Sequence, residues 1–158
     1  MKELPTRINM RLKDYDYSND GYYFITICIK DRHKILWNEP VGARIARPLL
    51  SCVGKVVEKA IRHIPDIYQS IVIDKYVIMP NHIHMIMSIV NDPGRALRAP
   101  TVSTVINQMK GYVTKQIGYS IWQKLFHDHI IRDEAEYQRI WQYIDENPTK
   151  WDQDCYYE

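Results

Sequence analysis

Hydrophobic and polar positions along the chain recur with two different periods, and the switches between them divide it into elements. Residues 22–29 (YYFITICI) are dense in β-branched and aromatic side chains over one strand's length, and Lys30-Asp-Arg-His33 ends the run. Residues 49–63 change period. Leu50, Val53, Val56, Val57, Ala60, Ile61 and Ile64 recur at helical spacing, with Pro65 as the expected stop. Residues 70–78 and 82–90 return to strand character, and Met79-Pro-Asn81 between them is too short for anything but a tight antiparallel link. A second helix is expected from Thr101 or Ser103 to about Ile117, ending at Gly118 and exposing Lys110 and Lys115. The β-branched pair in residues 127–132 suits a short edge strand. The last helix is the clearest. Asp133 is a good N-cap with Glu136 three residues on, Tyr137, Ile140, Trp141 and Ile144 form an apolar face, and Pro148 disfavours helical geometry at Asn147.

The order strand, helix, strand, strand, helix, strand, helix predicts an α+β fold. Its form would be a ferredoxin-like antiparallel sheet with helices packed on one face, plus a C-terminal helix. No repeat or linker interrupts the chain, and its 158 residues are the length of one domain. We read a single domain over residues 1–158, with the polar, aperiodic residues 1–20 as an N-terminal arm and residues 40–48, bracketed by prolines, as a loop.

Composition narrows the picture. Hydrophobic residues at 46% and charged residues at 25% indicate a folded globular chain rather than a disordered one. No apolar run approaches the roughly 20 residues of a membrane span, and the N-terminus lacks a signal peptide's apolar stretch, which points to a cytoplasmic protein with no membrane partner. Cys28, Cys52 and Cys155 are odd in number and widely spaced, so neither a disulfide framework nor a zinc knuckle is supported; Cys28 and Cys52 read as core. A net charge of +2 permits a nucleic-acid partner without demanding one. Twelve tyrosines against two phenylalanines suit partly wet aromatic sites, whether stacked on bases or half-buried on a sheet.

The strongest chemical signal is Pro80-Asn-His-Ile-His84. Side chains alternate along a strand, so His82 and His84 share one face while Ile83, Met85 and Met87 point to the other. Two imidazoles at that spacing can take neighbouring positions on a divalent metal, or they can be ordinary histidines near a turn. The last helix offers Tyr143 and Asn147, one turn apart on one face, where an amide oxygen could complete a mixed N/O site beside a phenol. The plain alternative is an edge-of-core tyrosine and a helix-terminating asparagine.

Several segments taken together carry a family resemblance. They are Tyr76-Val-Ile-Met-Pro-Asn-His-Ile-His-Met-Ile86, Ile121-Trp-Gln, His129-Ile-Ile-Arg-Asp-Glu134 and Tyr143-Ile-Asp-Glu-Asn-Pro-Thr-Lys-Trp151, with Arg11-Leu-Lys-Asp-Tyr-Asp-Tyr-Ser leading into Tyr23-Phe-Ile-Thr. The chain resembles, over nearly its whole length, the REP-associated tyrosine transposases and their insertion-sequence relatives. The resemblance implies that His82 and His84 are the HUH metal pair, that Tyr143 is the nucleophile on the C-terminal helix and that Asn147 is the third ligand, holding Mg2+ or Mn2+. It implies cleavage and rejoining of single-stranded, hairpin-containing DNA through a 5′-phosphotyrosine, by a homodimer or a monomer. Tyr112 and Tyr137 are rival nucleophiles, although Tyr137 is expected to pack against Trp141. Arg44, Arg47, Arg95, Arg98, Lys110 and Lys115 are candidates for phosphate contact, set against the reading of most lysines and arginines as solvated surface.

Other classes remain open on sequence alone. A domesticated or inactive single-stranded nucleic-acid-binding module would use the same fold, but the strand with His82 and His84 has no aromatic after Tyr76 of the preceding strand to act as a stacking platform. A plain metal-dependent hydrolase would use water where the transposase reading uses tyrosine.

Overall fold

The computed structural model describes residues 16, 19–38, 49–92, 94 and 99–156. Within them the chain runs β1 (Gly21–Cys28), α1 (Cys52–Ile67), β2 (Ile71–Ile78), β3 (His82–Ile89), α2 (Val102–Ile117), β4 (His127–Ile131) and α3 (Glu134–Glu146), with a 3-10 turn at Asn147–Gln153 after it. The strands form one antiparallel sheet in the order β2-β3-β1-β4, the ferredoxin-like α+β arrangement expected from the order of elements. Among the described residues no helix is long and apolar enough to cross a membrane.

Alternation along the strands gives the sheet two apolar faces. On one, Tyr23, Ile25 and Ile27 of β1 and Ile83, Met85 and Met87 of β3 are buried with Val57, Ile61 and Ile64 of α1 and Val105, Ile106, Met109 and Val113 of α2. On the other, Phe24, Val77, Ile86 and Ile131 pack with Tyr137, Ile140, Trp141 and Ile144 of α3. Helices α1 and α2 therefore cover one face and α3 the other, so all eight residues of β3 are buried. A bulge in β2 between Ile73 and Lys75 locks α3 down. Asp74 accepts from Ser88 Oγ (3.2 Å) and from the Tyr137 hydroxyl (3.1 Å), and Lys75 Nζ donates to Asp145 on α3 (2.6 Å).

Helix α1 departs from its predicted bounds at both ends. Ser51 Oγ accepts from Gly54 N at 3.0 Å, so the helix starts at Cys52 rather than at residue 49. At the other end it runs through Pro65, which falls in its last turn and costs one backbone bond without a break before Ile67. Cys52, expected in the core, is exposed because it occupies the first helical position; Cys28 is buried. Helices α2 and α3 obey their caps. Thr101 accepts from Thr104 N, Gly118 takes a left-handed φ of 89°, and Asp133 accepts from Glu136 N.

Gly54 is a helical glycine that alanine cannot replace. A Cβ there would sit 2.2 Å from the carbonyl oxygen of Leu36. Alanine normally stabilises a helix interior over glycine by about 1 kcal/mol. Against a backbone atom the sign reverses, and Gly54→Ala is expected to cost about 2 kcal/mol in chemical denaturation. A more stable variant would contradict the close approach of α1 to residues 29–38.

Candidate active site

The link between β2 and β3 aims the first residues of β3. Met79 N–H donates to His82 O, Ile29 N–H to Asn81 O and Leu36 N–H to Pro80 O, at 2.8, 2.9 and 3.0 Å, so the turn is held from several sides. In register, Cys28 stands opposite His82, and Thr26 and Val77 flank His84. The two histidines share the α3 face, are 0% and 2% exposed, and bring their Nε2 atoms to 3.0 Å.

The neighbour of His82 assigns its ring proton. Asn81 Nδ2 donates to the backbone oxygen of Tyr156 at 2.6 Å, which turns its Oδ1 toward His82 Nδ1 at 2.8 Å. An amide oxygen only accepts, so His82 carries its proton on Nδ1 and presents a lone pair at Nε2. His84 Nδ1 lies 2.8 Å from the Thr26 hydroxyl, which can donate to it or accept from it. With Thr26 donating, His84 Nε2–H would donate to His82 Nε2; with Thr26 accepting, two lone pairs face each other across 3.0 Å, and a cation between them relieves the repulsion. A proton does not serve near neutral pH. Burial pushes both imidazoles down to about 3, with the neighbouring His82 adding to the effect on His84 and Asp154 opposing it.

Helix α3 supplies two more groups. The Tyr143 hydroxyl lies 3.3 Å from His84 Nε2, with its ring edge-on to Phe24 at 6.2 Å. The residue is 41% exposed, so one side of the phenol faces solvent. Burial of the hydroxyl end and then the Asp154 carboxylate push it up to about 12, against a lowering contribution from the Asn147 side chain. Asn147, one turn on, is 4% exposed, and its Oδ1 is buried without a hydrogen-bond partner. Tyr143, Asn147 and Asp154 line a common cavity of about 170 Å3.

Sequence reasoning missed the return of the chain beyond the helix. Helix α3 ends at Glu146, but Asn147 keeps helical φ and ψ of −55° and −43° in spite of the proline after it, so the expected loss of helical geometry at Asn147 does not occur. The fixed φ of Pro148 suits the first turn of a new helical segment, and the 3-10 turn folds the chain back toward the start of β3. Trp151 and Tyr156 thereby lie with ring centroids 5.9 and 4.5 Å from His82. Asp154 Oδ2 comes to 3.7 Å from His82 Nε2, and ligand atoms of His82, His84 and Asp154 lie within 4.8 Å of one another. Proline as a helix-starting residue was the only cue to this return.

The remaining candidates fall elsewhere. Tyr112 is on α2, across the sheet from the histidines, and Tyr137 packs against Trp141 at 6.0 Å with its hydroxyl on Asp74. Lys115 is exposed on α2, as expected. Lys110 is not: it is 8% exposed, its Nζ donates to Gln123 O at 3.0 Å, and it lies 5.6 Å from the Phe126 ring centroid. The connection from α2 to β4 closes over it, and burial holds its ammonium below the usual lysine range. Arg44, Arg47, Arg95 and Arg98 lie outside the described residues. An open cleft that periodicity did not suggest is lined by Lys30, Asp31, Arg32, Trp122, Gln123 and Lys124. Its Asp31 and Arg32 adopt left-handed φ of 54° and 55°, uncommon for such residues.

No family model matches the chain. It is 33% identical over 171 residues to an uncharacterised Haemophilus influenzae protein, covering 96% of this chain and 93% of that one. It is 26% identical over 144 residues to a second Haemophilus influenzae protein, provisionally named a REP-associated tyrosine transposase, covering 85% of this chain and 74% of that one. Among solved structures, a REP-associated tyrosine transposase bound to a REP hairpin shares the fold at a TM-score of 0.66 and 23% identity, over 90% of this chain and 74% of that one. A provisionally assigned transposase of Deinococcus radiodurans shares it at 0.50 and 16%, over 86% and 95% of the two chains.

Proposed function

Because this chain is similar over most of its length to REP-associated tyrosine transposases, we propose that it belongs to that family and that it cleaves and rejoins single-stranded DNA carrying a hairpin, with Tyr143 as the nucleophile. One observation carries the reading. The Tyr143 hydroxyl stands 3.3 Å from one of two buried histidine Nε2 atoms that approach each other to 3.0 Å, and Asn147, whose buried amide oxygen has no partner, lines the same cavity as Tyr143. Since a structural relative is described in complex with a REP hairpin, hairpin DNA is the first substrate class to test.

His82, His84 and Asn147 fit a divalent ion, Mg2+ or Mn2+. Neighbouring donors on an octahedral ion with bonds of about 2.1 Å lie about 3 Å apart, which is the separation of the two Nε2 atoms. The neutral state of both rings is the one that ligates, and the ion would give the orphaned Asn147 oxygen a partner. Bound there, it would supply Lewis-acid withdrawal of charge from a phosphate oxygen.

The chain's own residues account for the bond changes. Tyr143 Oη forms a bond to the scissile phosphorus as the P–O3′ bond breaks; the phenolic proton passes to solvent on the exposed side of the ring, and the departing oxygen takes a proton from solvent to become a 3′-hydroxyl. The 5′-phosphotyrosine remains a phosphodiester, so a 3′-hydroxyl from another strand can reverse the step without an external energy source. Backbone phosphates would be met by Arg44, Arg47, Arg95, Arg98 and Lys115, with Lys30, Arg32 and Lys124 of the open cleft added. Lys110 drops from that set because its ammonium is enclosed.

The test is incubation with labelled hairpin-containing single-stranded DNA in Mn2+ or in EDTA. A denaturation-resistant protein–DNA adduct is expected with Mn2+ alone. Metal-dependent cleavage without an adduct would indicate a hydrolase using water. Binding without any chemistry would indicate a nucleic-acid-binding module on the same fold.

A further inference from the structure

Asp154 is a carboxylate to which the proposed transfer assigns no role, yet it is one of the most enclosed charged side chains near the histidines. Its side chain is 3% exposed. Oδ1 accepts from the Tyr156 backbone N–H at 2.8 Å, which orients the group. Oδ2 is buried with no hydrogen-bond partner and points to within 3.7 Å of His82 Nε2. An ionised oxygen left in that state is costly, because it has given up water without gaining a donor or a counter-charge. A neutral imidazole with its lone pair at Nε2 supplies neither.

We infer that Asp154 is a further ligand of the divalent ion, which makes the site a two-nitrogen, two-oxygen set with one negative charge. The inference rests on the metal reading of His82, His84 and Asn147. It accounts for two orphaned buried oxygens, Asn147 Oδ1 and Asp154 Oδ2, on residues that line one cavity with Tyr143. It also gives a purpose to the return of the chain after Pro148, which is what carries residue 154 to the start of β3. A carboxylate among the donors raises affinity for a dication and tilts selection toward oxygen-preferring Mg2+ and Mn2+.

The test is Mn2+ titration of the full chain by calorimetry, comparing the native protein with Asp154→Asn and His82→Gln. Asp154→Asn is expected to raise the Kd for Mn2+ at least about tenfold. Its melting temperature without metal should equal or exceed the native one, because an unpaired buried charge is removed, while the rise in melting temperature on adding Mn2+ should shrink. Native-like Mn2+ affinity in Asp154→Asn, alongside loss of binding in His82→Gln, would overturn this inference and leave the metal reading intact. No Mn2+ binding by the native chain would overturn both. Should Asp154→Asn fail to fold, the native chain decides with diamagnetic Mg2+: saturation is expected to shift the Asp154 side-chain carboxyl 13C resonance together with the ring 15N resonances of His82 and His84. An Asp154 signal that stays in place while the histidines shift would sink the assignment.

Discussion

Tyr143→Phe is expected to abolish the covalent protein–DNA adduct and to lower strand cleavage by about ten-thousand-fold or more, the scale on which removal of a nucleophile acts. The fold should not notice. The ring contacts to Phe24 and His84, at 6.2 and 5.2 Å, are available to phenylalanine, and what is lost is the hydroxyl's 3.3 Å contact with His84 and its interaction with the Asn147 side chain. Hairpin affinity and melting temperature should therefore stay near native, which separates loss of chemistry from loss of structure. The rivals give the contrast. Tyr112→Phe alters a residue on the far side of the sheet and should leave the adduct in place. Tyr137→Phe removes the hydroxyl bonded to Asp74 and should cost about 1 kcal/mol of stability without touching the adduct. An adduct that persists in Tyr143→Phe and vanishes in Tyr112→Phe would move the nucleophile to α2 and would break the reading of α3 as the catalytic helix.

How much of this was legible in the sequence depends on how local the cause is. The separation of His82 and His84 from Ile83, Met85 and Met87 comes from a strand's period of two, and Tyr143 and Asn147 share a face because they are one helical turn apart. Both relations are set by neighbours in the chain. Three others are not. The burial of Lys110 depends on the segment that closes over it from Gly118 to Phe126. The docking of α3 depends on a bulge that turns both Asp74 and Lys75 toward it, and nothing in the alternation of β2 marks that extra residue. Asp154 reaches the histidines only because the chain reverses after Pro148. Proline marks the end of one helix and equally suits the start of the next, and reading along the chain favours the first property. The roles of Thr26 and Asn81 were hidden for the same reason: each meets a ring nitrogen of a histidine, placed by cross-strand register in one case and by the backbone of Tyr156 in the other.

The same two histidines predict a steep loss of stability in mild acid. In the unfolded chain each titrates near its ordinary value, about 6.5; in the fold, burial pushes each down to about 3. Between those values the unfolded state binds more protons than the folded one, so stability falls as pH falls. The contribution is fully present above the unfolded value and is lost progressively as pH drops from about 6.5 toward 3. Each ring costs up to about 1.4 kcal/mol per pH unit in that window. Because the rings are coupled and Asp154 favours the charged form, the expected loss for the pair between pH 7.0 and pH 5.0 is about 3 kcal/mol, a large share of a typical domain's 5 to 15. Glu136 contributes separately. Its backbone hydrogen bond from Arg132 and its bond with His129 hold it below the usual carboxylate range, so its stabilisation is lost only as pH falls below the ordinary glutamate value. Urea denaturation at intervals from pH 7.0 to pH 5.0, in EDTA, isolates the histidine window. The native protein should show the falling midpoint, and a His82→Gln/His84→Gln double variant should show a much flatter one, since glutamine keeps hydrogen-bonding capacity without a proton to gain. A flat native profile, or an equal slope in the double variant, would mean that the imidazoles are not held neutral by burial, and the lone-pair site argued for a metal would lose its basis.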